Sequence, residues 1–451
     1  MQPSVLAVDE PGALKVALLD ADGYPSLEYQ GEVTLEGLPG GTCALAFRRG
    51  ESAVGRLDNI SLPQPGLYRF TARFEGGYAK GNPTRCLTHV EQHLYWGDPH
   101  VHTVLSDCWP QSCRSLDFCY VAARYLAGLD WVCATDHVSN GRCEFARWKE
   151  QRAACNVHDD PPAFATLHGY EASLQGGAGG DANVYLARPL PMFLDDYEGG
   201  TLKSLGEKLA AELPEKEFFL VPHHTTRAGK HGEISDAIYP GPNRMPLVEI
   251  HSKWGTSEYR GNPNALREVH PGPSYVADFL RRGMVFGFMG GTDTHATMPA
   301  GRGVEHAEHL DGLPGMTAVR SATLSRETIF QALRRRQCYA TSGDRIYLEA
   351  TVAGSPGGEV LPIQDPGRPR GIAVFAAAPG DIERIEVLRN GDVLHAREIR
   401  DWHATLELTD EEPLGPCLLE SAAGKQFAYY YVRVTCTSGA QAWSSPVWLQ
   451  E

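Results

Sequence analysis

The stretch 94-LYWGDPHVH-102 is an apolar run that ends in two histidines one residue apart. Side chains on an extended segment alternate with period two, so His100 and His102 point to the same side. Strands buried on both faces read as such apolar runs. The pattern returns along the middle of the chain. The run 131-WVCATDH-137 ends in Asp136 and His137, and 164-FATLHGYE-171 ends in Glu171. The run 218-FFLVPHH-224 ends in His223 and His224, 247-LVEIH-251 in His251, and 285-VFGFMGGTDTH-295 in Asp293 and His295. Apolar cores disfavour charge, so six apolar runs ending in His, Asp or Glu are hard to assign to packing.

Helical spacing fills the gaps between these runs. Leu116 to Gly128 and Leu202 to Leu213 have it. Ser325 to Gln337 opens on a capping serine, has Glu327 in its first turn and carries Arg334, Arg335 and Arg336 in its last, which suits the helix dipole. Strand-helix alternation over residues 93–344 predicts an α/β barrel or a layered α/β domain. In a barrel the strands run one way and their C-terminal ends meet on one rim, so ligands scattered in sequence meet in space.

The flanks read differently. Residues 1–92 alternate in 14-LKVALLD-20 and 67-LYRFTARFE-75, with Gly and Pro between, which predicts a small β-sandwich. Residues 345–451 offer candidate strands at 346–352, 372–378, 383–392 and 428–436, and Asn390-Gly391 is a hairpin signal, so a second sandwich is expected.

A chain of 451 residues with 42% hydrophobic and 22% charged content has the composition of a globular protein. Its net charge of −15 argues against a general nucleic-acid binder. The N-terminal residues lack a basic segment followed by an apolar run, and no stretch has the apolar length to span a bilayer, so neither secretion nor a membrane is expected. The eleven cysteines include no C-x-x-C pair in the 108–155 region and read as reduced thiols in the cytoplasm. The sequence leaves the oligomeric state open.

Imidazole and carboxylate suit divalent Zn, Mn or Fe, and thiolates are absent from the run ends. A carboxylate such as Glu171 can bridge two metals. In order, H-x-H-T-x-x-S-D (100–107), T-D-H (135–137), G-x-E (169–171), P-H-H-T (222–225) and T-D-T-H (292–295) resemble the polymerase and histidinol phosphatase (PHP) family. The segments 339-YATSGDRI-346 and 443-WSSPVW-448 look like its CehA/McbA-like branch. The resemblance implies a distorted (β/α)7 barrel, between its two flanking sandwiches, holding two or three divalent ions at the strand ends. It implies that His100, His102 and Asp293 bind one ion and that Glu171 bridges it to a second. A histidine of the 223–224 pair would hold the second, and Asp107, His137 and His295 a third. His251, or a neighbour a few residues on, is a further ligand candidate.

A hydroxide shared by two metals would then be the nucleophile. His224 or Asp136 could protonate the leaving alkoxide, and Asp136 could equally orient a ligand histidine. Arg227 and Lys230 could clamp a phosphate or carboxylate, with Trp254 and Arg302 as substrate walls. The glycine-rich 175-QGGAGGDAN-183 is a flap or a surface loop. No G-x-S-x-G elbow is present, and nothing marks Cys108 as activated. The expected function is metal-dependent hydrolysis of a small, anionic organic phosphate. Carboxyl or carbamate ester or amide hydrolysis is the alternative reaction, and a metal-stabilised binding protein is the alternative class.

Overall fold

The computed structural model of the protein describes residues 1–451 apart from 107, 109–110, 139–144, 175–178, 197–198, 229–232, 267–268, 302 and 304–311. Nine strands surround the site: β1 (His93–Val101), β2 (Trp131–Ala134), β3 (His168–Ser173), β4 (Asp181–Leu186), β5 (Phe218–Pro222), β6 (Leu247–Ser252), β7 (Gly287–Gly290), β8 (Gly315–Ser321) and β9 (Cys338–Ser342). The six apolar runs contribute β1, β2, β3, β5, β6 and β7, and the third also a two-residue strand, Ala165–Thr166, beside β2. Beside them lie α1 (Leu116–Val121), α2 (Phe145–His158), α3 (Leu202–Glu212), α4 (Val276–Arg281) and α5 (Arg326–Arg334). The side chains of Ser115, Thr201 and Ser325 cap α1, α3 and α5 by accepting from backbone N–H groups in the first turn.

The fold is mixed α/β with more strand than helix. The six ligand-bearing strands share one direction. β1 and β2 pair in parallel, as do β6 and β7. β3 and β5 are both antiparallel to β4, hence parallel to each other. Isolated parallel bridges, His137 to Glu171 and Val101 to Thr294, carry the same sense across the gaps. Regular strand-helix alternation nevertheless breaks at three places, the first between β5 and β6, where the described residues hold no helix. β4 follows β3 after a short loop, and a short loop permits only an antiparallel neighbour. β8 lies antiparallel to β1 and leads through α5 to β9. Hydrogen bonds therefore divide the ring among three sheets instead of running around it.

The C-terminal strands are β10 (Tyr347–Val352), β11 (Arg370–Arg389), β12 (Asp392–Asp410), β13 (Gln426–Cys436), β14 (Gln441–Ser444) and β15 (Val447–Gln450). They do not form a sheet of their own: β14 pairs with β9, so one sheet runs from β2 through β1, β8 and β9 into β13, β11 and β10. An unpaired β9 edge would expose backbone donors and acceptors, and β14 covers it. The two strands expected over 372–378 and 383–392 are one strand, β11, with a register shift between Ala377 and Ile382. The Asn390-Gly391 turn has both residues at positive φ, 56° and 85°, as a tight hairpin requires.

A buried network ties the ring to this sheet. Glu258, beyond β6, accepts from Tyr431 Oη (2.8 Å), Arg433 Nη1 (2.6 Å) and Trp443 Nε1 (2.8 Å). In the N-terminal residues a four-stranded antiparallel sheet and two smaller ones enclose Leu6, Leu14, Leu35, Leu62 and Phe70. Among the described residues no helix is long and apolar enough to cross a membrane.

Candidate metal centre

The two histidines at the end of β1 meet the acids of β3 and of the loop after β7. His100 Nε2 lies 3.2 Å from His102 Nε2, 3.2 Å from Glu171 Oε2 and 3.4 Å from Asp293 Oδ1. His102 Nε2 is 3.1 Å from the same Glu171 oxygen and 3.1 Å from the same Asp293 oxygen. All four side chains are buried. Four donors arranged tetrahedrally, each about 2.0–2.1 Å from one cation, stand about 3.3–3.4 Å apart. The spacings match, so these residues could hold a divalent ion.

The outer nitrogens fix the tautomers. The Ser106 hydroxyl donates to Asp136 Oδ1 at 2.7 Å, so it can only accept from His102 Nδ1 at 2.9 Å. Nδ1 of His102 therefore carries a proton, so Nε2 is the nitrogen left to bind a metal ion. His100 Nδ1 is 3.1 Å from Glu249 Oε2, which holds its proton in the same way. Carboxylates behind ligand imidazoles are a recurrent feature of metal sites. Without metal the facing acids favour a proton on each inner nitrogen, and a divalent cation held at this spacing would take the place of those protons.

Glu171 divides its oxygens. Oε2 serves the first group, while Oε1 is 3.4 Å from His137 Nδ1 and 3.4 Å from His223 Nε2. That is the placement of a bridging carboxylate. His223, His224 and Asp181 form a second group with ligand atoms within 4.8 Å of one another, and His102, Cys108, His137 and His295 form a third. His224 Nε2 also lies 3.6 Å from Asp293 Oδ2.

Burial opposes charge throughout, yet the contacts override it. The His137 and His223 imidazoles hold Glu171 well below the usual carboxylate range against burial. His100 and His102 do the same for Asp293. Burial pulls the two imidazoles down, but Asp293 and the neighbouring glutamates hold both well above the usual range. Asp98, at the root of the cluster, goes the other way: burial pushes it up to about 6 although Thr292, Ala300 and His100 all donate to it. The backbone is strained here, with His224 at φ 30° and Asp293 at φ 52°, in the left-handed region that L-residues seldom adopt. Gly291 must be glycine, because a Cβ would stand 2.5 Å from Glu249 Oε2 and 2.7 Å from His100 Cβ.

Asp136 accepts from Thr103 N, Thr103 Oγ1 and Ser106 Oγ, so its place is behind His102 as an orienting group and not as a proton donor. His251 stands apart from all three groups. Its Nδ1 is 2.8 Å from Thr256 Oγ1, its Nε2 is 2.9 Å from the Leu313 carbonyl, and its ring stacks on Trp443. A register shift between Glu249 and His251 breaks the alternation that would have put both on the site face. Glu249 is the residue of β6 that reaches the cluster. The signal for it was a lone acid inside the run 247-LVEIH-251. Asp181, inside the glycine-rich 175–183, was missed, and Cys108 was weighed only as a nucleophile and not as a ligand. Arg227 stacks its guanidinium 3.9 Å above the Trp254 ring, which is itself 5.5 Å from the His224 ring. Asp107, Lys230 and Arg302 lie outside the described residues, as do 175–178 of the glycine-rich run.

Comparison with known proteins adds the following. The family DUF3604, described as a protein of unknown function, matches residues 303–353. Two uncharacterized proteins are similar along most of the chain. One, from Chlamydia trachomatis, is 28% identical over 408 residues, covering 87% of this chain and 63% of the relative. The other, from Chlamydia pneumoniae, is 26% identical over 410 residues with the same coverages. The chain thus spans less than two thirds of the length of these relatives. Among solved structures, a two-domain protein from Bacteroides vulgatus containing a predicted PHP-like metal-dependent phosphoesterase aligns with 75% of this chain and 90% of its own. Its TM-score is 0.40 and its identity 12%. At that distance the likeness assigns nothing by itself.

Proposed function

We propose that this chain is a metal-dependent hydrolase of the polymerase and histidinol phosphatase type, acting as a phosphoesterase on a small organic phosphate. The observation that carries the reading is the set of 3.1–3.4 Å spacings among His100, His102, Glu171 and Asp293. The motifs that resemble the family supply all four of these residues. The ring of six parallel strands with β4 and β8 inserted is read as a distorted (β/α)7 barrel of the CehA/McbA-like branch.

Zn, Mn or Fe, two or three ions in all, suit these donors. Bound there, they make water a nucleophile near neutral pH and draw charge off the electrophilic oxygen. The protein's own groups do the rest. Ser106 and Glu249 hold the two imidazoles in the tautomer that faces inward. Asp136, fully engaged by Thr103 and Ser106, positions His102. Arg227, half-buried and fixed on Trp254, presents a planar fork that fits two oxygens of a phosphate. His224, beside that wall, is the donor of a proton to the leaving oxygen. The substrate is taken to be a small anion of the cytoplasm, and the acidic chain offers no general surface for nucleic acid.

The test is a panel of phosphate mono- and diesters against carboxyl and carbamate esters, with protein carrying measured Mn or Zn. Turnover of a phosphate ester is expected. Turnover of carboxyl or carbamate esters alone would replace the phosphoesterase reading with the other hydrolase. No turnover of either class at full metal occupancy overturns the enzyme.

A further inference from the structure

We propose that Cys108 is a thiolate ligand of the third metal position, which makes the centre chemically unequal: one position with sulfur, the others with nitrogen and oxygen only. The inference rests on the reading of the cluster as a metal centre and goes beyond it in naming a soft donor.

Cys108, His102, His137 and His295 each place a ligand atom within 4.8 Å of the others. His102 already turns Nε2 on Glu171 and Asp293 and commits Nδ1 to Ser106. Among the described residues Cys108, His137 and His295 are the other members of that group. His295 donates Nδ1–H toward the Asp293 carbonyl at 3.2 Å, which leaves Nε2 as its ligand atom. The imidazole rings of His102 and His295 stack with centroids 4.1 Å apart, so His295 is held against the first group.

The segment bearing Cys108 is pinned to the same loop. The Cys113 thiol bonds the carbonyls of both Cys108 (3.3 Å) and His295 (3.2 Å). Arg114 N donates to Thr297 Oγ1 at 2.8 Å, and the Thr297 hydroxyl donates to the His102 carbonyl at 2.8 Å. Cys113 is thus one of two ties between these loops, and the Arg114–Thr297 tie holds Cys108 near His295 without it.

Two imidazoles and a thiolate match the three-ligand pattern of zinc sites that keep one position open. Sulfur favours zinc, whereas the carboxylate-rich first position also suits Mn. On binding, the thiol proton leaves to solvent and the sulfur forms the bond to the ion.

X-ray absorption of the zinc-loaded full chain tests this directly. A Zn–S shell at about 2.3 Å, beside the nitrogen and oxygen shell at about 2.0–2.1 Å, is expected. Bound zinc with nitrogen and oxygen ligands alone overturns the role of Cys108 and leaves the hydrolase reading intact. A chain that binds no zinc overturns both. In the cobalt-loaded protein a sulfur-to-cobalt charge-transfer band is expected. Cys108→Ser should remove that band and weaken one zinc equivalent by about tenfold or more. Cys113→Ala should keep the band, and its loss there with retention in Cys108→Ser would name the wrong thiol.

Discussion

Two of the buried polar clusters among the described residues differ in how their charges are met. Around Glu258 every partner is a donor: Tyr431, Arg433, Trp443 and Asn262 all give hydrogens to its oxygens. Arg433 also reaches Glu386 at 2.8 Å. Around His100 and His102 acids face imidazole nitrogens that can give up a proton to a metal ion. Among the described residues Glu171, Glu249 and Asp293 find only imidazoles as ion-pair partners. Burial alone does not mark a functional site, since both clusters are buried. What marks one is a set of imidazoles and carboxylates gathered at coordination spacing.

The largest effect should come from opening the second cluster. His100→Ala removes one of four donors. Phosphoester turnover should fall by about three orders of magnitude, roughly 4 kcal/mol in transition-state free energy. Metal analysis should show less bound ion, with the thermal unfolding midpoint of the metal-free chain little changed. Full turnover with full occupancy would erase the distinction between the clusters.

Arg433→Met makes the complementary cut. It leaves Glu258 and Glu386 buried without their cation and should destabilise the fold by about 3–5 kcal/mol, seen in denaturant unfolding. Metal content per folded molecule should stay the same. A loss of under about 1 kcal/mol would show that the network is wetter than its geometry.

These contrasts also explain what the sequence could reveal. The six ligand-bearing strands were legible because burial on both faces leaves long apolar runs, and their common direction follows. The helix over 202–213 and the one capped by Ser325 were legible for local reasons. β4 was not, because its first residues, 181–183, close the glycine-rich run read as a flap or a surface loop. Nor was the continuity of β9 with β14, since edge pairing between distant segments leaves no local trace. At the site, H-x-H and T-D-T-H exposed four residues through spacing alone. His251 misled because one register shift after Glu249 undoes the period-two rule. Ser106 and Glu249 act through other residues, and a lone serine or acid carries no spacing signal.

Glu249→Gln sharpens the comparison on a smaller scale. The amide oxygen can still accept from His100 Nδ1, so the ring keeps its pose while the charge behind it is lost. Metal affinity should fall by about 10–100-fold. A competition titration with a chelator measures it. An unchanged affinity would reduce Glu249 to a packing residue.

The smallest effect concerns His251, the imidazole that belongs with the satisfied cluster. Burial pushes its pKa down to about 4, against about 6.5 in an unfolded chain. The unfolded state therefore takes up the proton first as the pH falls. Stability from the neutral ring is full above about 6.5 and is lost as the pH drops toward 4, amounting to about 1–2 kcal/mol between pH 6.5 and 5. His251→Gln can keep both bonds, to Thr256 and to the Leu313 carbonyl, without titrating. Wild type should thus lose more stability than the variant on acidification, as read from unfolding midpoints of metal-free protein at both pH values. Parallel losses would put the acid sensitivity elsewhere, and a missing metal equivalent in His251→Gln would return this histidine to the site.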